Sequence, residues 1–246
     1  MQSAIHQEVN RLFQSVHYWP RGFYFASKSH KSFMVQLLQH AMPGGSCLDL
    51  GCGKTARYKP FIESQGMVWY GSDVIQELDS PHPNYLPSND DCLPFGDSLF
   101  DIVCTYNVIE HFRNPEAMFK EIARCLKQKG LLCGAAAFWE MEHDSYFHFT
   151  HKGLRSMLMR HGFELISVMP SEYSGFILAS QRFFGGSGRI ITSSSKMRFY
   201  SMVLGTLNWF PFLIACALES IRRSLFRKLF DPLRDCATLY FFARKV

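Results

Sequence analysis

The apolar positions of this chain change period along its length. Ile5, Val9, Leu12, Phe13 and Val16 recur at helical spacing, and residues 33–42 carry a second helical pattern that Pro43, Gly44 and Gly45 stop. From Ser46 onward, short continuous apolar runs alternate with helical patterns. Strands are predicted at 46–50, 68–72, 101–105 and 131–138, and helices at 58–65 and 115–127. Leu93 to Gly96 reads as a turn, and Lys129 and Gly130 end the second of those helices. A helix at 152–161 then runs through Gly162 into a strand at 163–169, and a last strand, rich in Leu, Tyr and Phe, occupies 237–244.

Runs that are apolar throughout, rather than alternating, belong to strands covered on both faces. The predicted fold class is therefore α/β: a Rossmann-like, mostly parallel seven-stranded sheet with helices on both faces. Residues 1–45 form an N-terminal helical cap, 46–169 plus 237–246 the core, and 170–236 an insertion before the final strand.

The insertion breaks the regular pattern. A stretch rich in glycine and serine, Gly185 to Ser195, leads into 202–218, which is apolar except for Gly205, Thr206, Asn208 and Pro211. That is shorter than the roughly 20 residues a helix needs to cross a bilayer. Leu218, Ile221, Leu225 and Leu229 then make one stripe, with Arg222, Arg223, Arg227 and Lys228 opposite. This is the pattern of a basic amphipathic helix lying on an anionic membrane surface, and equally of a lid or dimer helix packed on a core.

Composition narrows the picture. At 246 residues and 47% hydrophobic content, the chain has enough apolar material for a large core. Its formal charge of +5 is concentrated in the C-terminal region, beyond residue 196. The 8 cysteines sit singly, without a Cys-X-X-Cys pair, as small buried hydrophobes do in a reducing compartment. Residues 1–10 lack the basic start and apolar stretch of a secretory signal. A cytoplasmic protein is expected, with peripheral membrane contact through 202–230.

The chemistry-bearing feature is the run from Cys47 to Thr55, where an apolar strand enters the turn Gly51-Cys52-Gly53-Lys54-Thr55. Glycines there let backbone approach a ligand closely. A triphosphate-binding loop would need glycine at position 48, which is Leu48. A dinucleotide fingerprint is formally met by Gly51, Gly53 and Ala56, with Asp73 about twenty residues further on.

Five segments in order decide between nucleotide ligands. Leu48 to Gly53 resembles the first motif of the class I S-adenosylmethionine-dependent methyltransferases, and Tyr70 to Val74 the second-strand motif ending in a ribose-binding acid. Residues 89–103 are similar to the third and fourth motifs, 107–112 to the stretch after the fourth strand, and 121–132 to the helix and turn before the fifth. The resemblance covers about 46–169 plus the terminal strand; Thr55 stands where the family's usual third glycine falls. It implies S-adenosylmethionine as cofactor, with Gly51, Cys52 and Gly53 passing its methionine part and Asp49 positioning the turn or the amino group. Asp73, followed by Val74, would accept the ribose hydroxyls, Asn89 and the Asp90 backbone would read the adenine, and Asn107 would lie beside the sulfonium.

Residues 140–150, after the strand at 131–138, lie where substrate loops sit in open α/β sheets. Histidines of near-neutral pKa suit removal of a hydroxyl proton, which makes His143 or His148 the candidate base; equally, both face solvent while Phe147 and Phe149 pack. Glu110 and His111 read as a pair that packs and caps, and no metal site is expected. Nucleic-acid substrates are disfavoured, because the Asp/Asn-Pro-Pro-aromatic signature of base methylation is absent. The expected function is methyl transfer to the oxygen or nitrogen of a small-molecule or lipid-like, lipid-linked acceptor. The alternatives are an NAD-dependent oxidoreductase, which would bind reduced NAD but not S-adenosylhomocysteine, and a non-catalytic binding protein, which would bind the latter without turnover.

Overall fold

A computed structural model describes residue 37, residues 40–89, 91–139 and 144–171, residues 214, 217, 218 and 221, and residues 236–246. Within them the order of elements is β1 (Ser46–Leu50), α1 (Lys59–Ser64), β2 (Val68–Ser72), β3 (Phe100–Tyr106), a 3-10 turn (Ile109–His111), α2 (Pro115–Cys125), β4 (Leu126–Ala137), α3 (His151–Arg160), β5 (Phe163–Pro170) and β6 (Thr238–Lys245). The strands form one sheet in the order β2-β1-β3-β4-β6-β5. β2, β1, β3 and β4 are mutually parallel, whereas β6 runs antiparallel between β4 and β5.

Side-chain alternation along each strand divides the core into two layers. Leu48 and Leu50 of β1 join Phe119, Ile122, Leu154 and Leu158 from α2 and α3 on one face. Cys47 of β1 joins Trp69 and, from α1, Phe61 and Ile62 on the other. Both faces are thereby covered, which is why the strands read as continuous apolar runs. The buried thiols of Cys47, Cys104 and Cys133 line up across three strands, with Sγ atoms 3.8 and 3.5 Å apart, and act as small apolar side chains.

Phe100, fully buried, meets Phe95 edge-on at 5.0 Å beneath the sheet. Its neighbour Asp101 faces the other way and ties three strands together. One carboxylate oxygen accepts from Ser46 N at 2.8 Å and from Lys127 Nζ at 2.8 Å. Partial burial pulls this carboxyl upward, but the hydrogen bonds from Lys127 and Ser46 outweigh it and hold the group below the usual carboxylate range.

The structure differs from expectation in three respects. Six strands, rather than seven, are present among the described residues. A segment lies along the free edge of β2, where Gly71 N donates to Asn84 O and Leu86 N to Gly71 O, but only Gly71 and Tyr85 form a bridge. Pro83 and Pro87 flank three residues there, and neither ring nitrogen can donate to a ladder, so the pairing stays too short to be a strand. Second, α2 ends at Cys125 and β4 begins at Leu126, earlier than the Gly130 signal suggests. Leu126 is fully buried opposite Phe100, and the chain regains register at Ile102 and Leu131 after Lys129 adopts φ +64°. Third, element ends move by one residue, α1 and β3 at both ends, α3 and β6 shifted by one, and β4 and β5 at their C-terminal ends, as is usual at frayed termini. The predicted helix over 5–16 lies outside the described residues, as do most of 33–42, of which Leu37 is helical and His40 a turn, and most of 170–236. Among the described residues no helix is long and apolar enough to cross a membrane.

Candidate active site

The parallel strands β1, β2 and β3 end at one edge of the sheet, and the chain after each contributes to a single cleft region. After β1, Gly51 and Gly53 take φ +75° and +64°, a left-handed backbone that side-chain-bearing residues resist. Gly51 has a second reason to be glycine: a Cβ there would come within 2.2 Å of Val108 Cγ2. The turn is fastened to β2, since Gly51 N and Cys52 N both donate to Ser72 O, at 2.7 and 3.3 Å. Cys52 is buried behind it, which raises its thiol pKa and keeps the sulfur neutral.

Asp73, at the tip of β2, is drawn into the same turn: Gly53 N donates to its Oδ2 at 2.9 Å. Val74 follows with its side chain exposed. A Cβ on Gly53 would meet nothing within 4 Å, so the turn opens outward beside the Asp73 carboxylate. Such an open glycine turn, with an acid at the next strand tip, fits an adenosyl ligand carrying a ribose diol.

Asp49 points to the α1 face and is only 3% exposed, with Trp69 Nε1 donating to its Oδ2 at 3.3 Å. Burial pushes its carboxyl up to about 7, so near neutral pH it is poised between the acid and the carboxylate. Beyond β3, Asn107 is exposed at φ +54°, and its N–H donates to Ala135 O at 3.0 Å.

Asn89 follows Ser88, whose N–H donates to Asp73 O at 2.8 Å, and its side chain first serves its own loop. Its Oδ1 accepts from Asp91 N at 3.0 Å and Cys92 N at 2.8 Å. What remains for a purine is its amide N–H group. Asp90 and His143 are outside the described residues. His148 is described, exposed, and 2.9 Å from Ser145 Oγ through Nε2.

The segment carrying His148 is anchored at the same sheet edge by groups whose role is hidden in the sequence. Glu110 is fully buried, and its backbone carbonyl accepts from Tyr146 N at 2.8 Å and Phe147 N at 3.1 Å. His111 Nδ1 lies 3.0 Å from Asp144 O, and Phe149 N donates to Ala137 O at 2.8 Å. Phe149 packs inward while Phe147 stays 42% exposed, so only one of the two expected anchors is in the core. Sequence reasoning also missed the tyrosines of this edge, Tyr58, Tyr106 and Tyr240, because only strand register brings them together.

Comparison with known proteins agrees with this geometry. A family model described as "Methyltransferase domain" matches residues 48–134, from β1 through most of β4. No curated protein sequence matches the chain. Among solved structures, the [4+2]-cyclase SpnF superposes with a TM-score of 0.56 at 17% identity, covering 99% of this chain and 94% of its own. A methyltransferase described as putative, from Bacillus halodurans, gives 0.52 at 14% identity, with 86% and 97% covered, and a SAM-dependent methyltransferase from Methanosarcina mazei gives the same four values. At such identities the structures share a fold. The domain match makes residues 48–134 similar to a methyltransferase domain, and the superpositions give the chain the fold of these proteins.

Proposed function

We propose that this chain is an S-adenosylmethionine-dependent methyltransferase that acts on the oxygen or nitrogen of a small amphiphilic acceptor, lipid-like or lipid-linked. The observation that carries the reading is an apolar stripe turned to solvent. Ile214, Leu218 and Ile221 are helical residues spaced by four and three, yet they are 46%, 57% and 54% exposed. Arg222, Arg223, Arg227 and Lys228 follow in sequence, and such a stripe beside basic residues suits an anionic bilayer surface from which an amphiphile is taken.

S-adenosylmethionine supplies a methyl group already activated on a sulfonium, so the protein's task is chiefly to hold and align. In this reading Gly51, Cys52 and Gly53 pass its methionine part, and Asp49 faces the ammonium. Asp73 and the adjoining Val74 take the ribose, Asn89 and Asp90 the adenine, and Asn107 borders the methyl. Alignment alone can supply about 7 to 11 kcal/mol in favourable cases. These residues would hold the cofactor so that its methyl group faced the acceptor's lone pair, with the departing electron pair remaining on sulfur. A hydroxyl acceptor then sheds its proton to His148, which is exposed on the anchored segment, or to His143.

The test is incubation with methyl-labelled S-adenosylmethionine and a total lipid extract, in parallel with an extract of water-soluble metabolites. Label is expected in the lipid phase, and flotation on phosphatidylglycerol vesicles should be lost in the Leu218→Asp, Ile221→Asp variant. Label confined to the aqueous extract would remove the lipid acceptor. Full turnover of His148→Ala would remove His148 as base, leaving His143.

A further inference from the structure

The carboxyl of Asp49 is reached through a slot that a missing side chain leaves open. Asp49 in β1 pairs with Gly71 in β2, and Trp69 stands two residues earlier on the same face of that strand. A Cβ on Gly71 would fall 2.3 Å from Trp69 Cη2, so glycine is what lets the indole lie along β2. The ring, 1% exposed, thereby brings its Nε1–H to Asp49 Oδ2 at 3.3 Å. Its other sides are packed: the His82 ring stands across it at 85° and 5.1 Å, and Lys59 Nζ lies 5.9 Å over it. A ring held on these sides aims its single donor in one direction.

Opposing influences meet at Asp49. Burial and the neighbouring Cys104 of β3 push the carboxyl up to about 7, and Asp73 at the tip of β2 adds to that push. The Trp69 N–H works against them, as does Arg57 beyond the glycine turn. Cys47 and Cys52 are neutral thiols, their pKa values raised by the Cys104 contact and by burial respectively. A hydrogen bond donated to the ionised carboxylate favours that form. The second oxygen, Oδ1, takes no donor from the described residues yet is not sealed from solvent. Trp69 thus occupies one oxygen and leaves the other to a further donor.

We propose that Trp69 is a positioning residue of the cofactor site, whose N–H holds Asp49 Oδ2 so that Oδ1 serves the ammonium of S-adenosylmethionine. This rests on the methyl-transfer reading and deepens it, since Trp69 acts through Asp49 without touching the ligand.

Calorimetric titration of the full chain with S-adenosylhomocysteine between pH 6 and 8.5, on wild type and Trp69→Phe, tests it. Wild-type affinity should climb with pH as Asp49 ionises and level off above about pH 7.5. Phenylalanine keeps an aromatic ring in the slot but donates nothing, and losing a hydrogen bond to a charged group moves a carboxyl by about one pH unit. Affinity of the variant should therefore fall about tenfold at pH 6 and less than about twofold at pH 8.5. An equal loss at every pH would overturn the proposal, because that is what a merely structural role predicts. Superimposable profiles would do the same. Isotope labelling of the indole nitrogens gives a second readout in wild type, which serves even where Trp69→Phe does not fold. One of the four tryptophan Nε1–H signals should titrate near pH 7 and stay still in Asp49→Asn. At pH 6, S-adenosylhomocysteine should move that signal in the direction that raising the pH does, and four signals unmoved at saturation would also overturn the proposal. Binding to wild type with a flat pH profile removes the proposal alone, whereas no binding at any pH brings down the methyl-transfer reading and the proposal with it.

Discussion

Asp49→Asn isolates a carboxyl that the fold holds near its point of ionisation. The group is 3% exposed, and burial raises its pKa to about 7 from a free value of about 3.9. At about 1.4 kcal/mol per pKa unit, three units correspond to an order of about 4 kcal/mol of pH-dependent stability. The sign follows from which state keeps the proton. Below about pH 4 both states are protonated and the stability is fully present; as pH rises the unfolded chain ionises first, and stability drains until the folded carboxyl ionises near pH 7. Between pH 5 and pH 7 the loss should be about 2 kcal/mol. Asparagine keeps the shape and an oxygen for Trp69 Nε1, but does not titrate. Urea unfolding of both proteins at pH 5, 6, 7 and 8 should give a wild-type minus variant difference that falls by that amount and flattens above about pH 7.5. Curves that stay parallel across the range would refute the reasoning. The proposed ammonium contact adds a second reading, because a cation favours the carboxylate. S-adenosylhomocysteine should then release a proton on binding wild type near pH 6.5 and none on binding the variant.

Other expectations follow from contacts already described or close to them. Gly51→Ala places a Cβ 2.2 Å from Val108 Cγ2 in a left-handed conformation costing about 1 to 2 kcal/mol by itself. The variant should lose stability in urea and most of its S-adenosylhomocysteine affinity by calorimetry, and wild-type affinity would contradict the proposed cradle. Glu121 accepts from Arg124 Nε at 2.8 Å, from Arg124 Nη2 at 2.7 Å and from Leu93 N at 3.0 Å. The Arg124 hydrogen bonds, with the Leu93 amide, hold its carboxyl down to about 2. This contribution is present above about pH 4.3 and lost as pH falls toward 2, so Glu121→Gln should cost about 1 to 3 kcal/mol at pH 7 by urea unfolding and less at pH 3. An equal cost at both pH values would show that the carboxylate charge contributes nothing.

The chain alone determined the parts of this protein whose physics is local. Strands buried on both faces must be apolar at every position, so β1, β2, β3 and β4 were legible as runs. A glycine turn needs its glycines whatever surrounds it, so Gly51 and Gly53 were legible as a left-handed turn, and Asp73 as the acid at the next strand tip. Tertiary structure decided what depends on distant partners. Pro83 and Pro87 leave the edge of β2 with a single bridge, between Gly71 and Tyr85. Leu126 enters β4 because Phe100 waits opposite it. Glu110, which read as a helix-start residue, is buried and holds the segment bearing His148 through its carbonyl. Asp49 gains its raised pKa from burial, which no residue type announces. Tyr106 and Tyr240, 134 positions apart, share a hydrogen bond only because β6 returns antiparallel beside β4 and puts both in register with Ala135. Burial and register belong to no single stretch of chain, since each is set by which strands become neighbours and where they start, and that is settled when the sheet assembles.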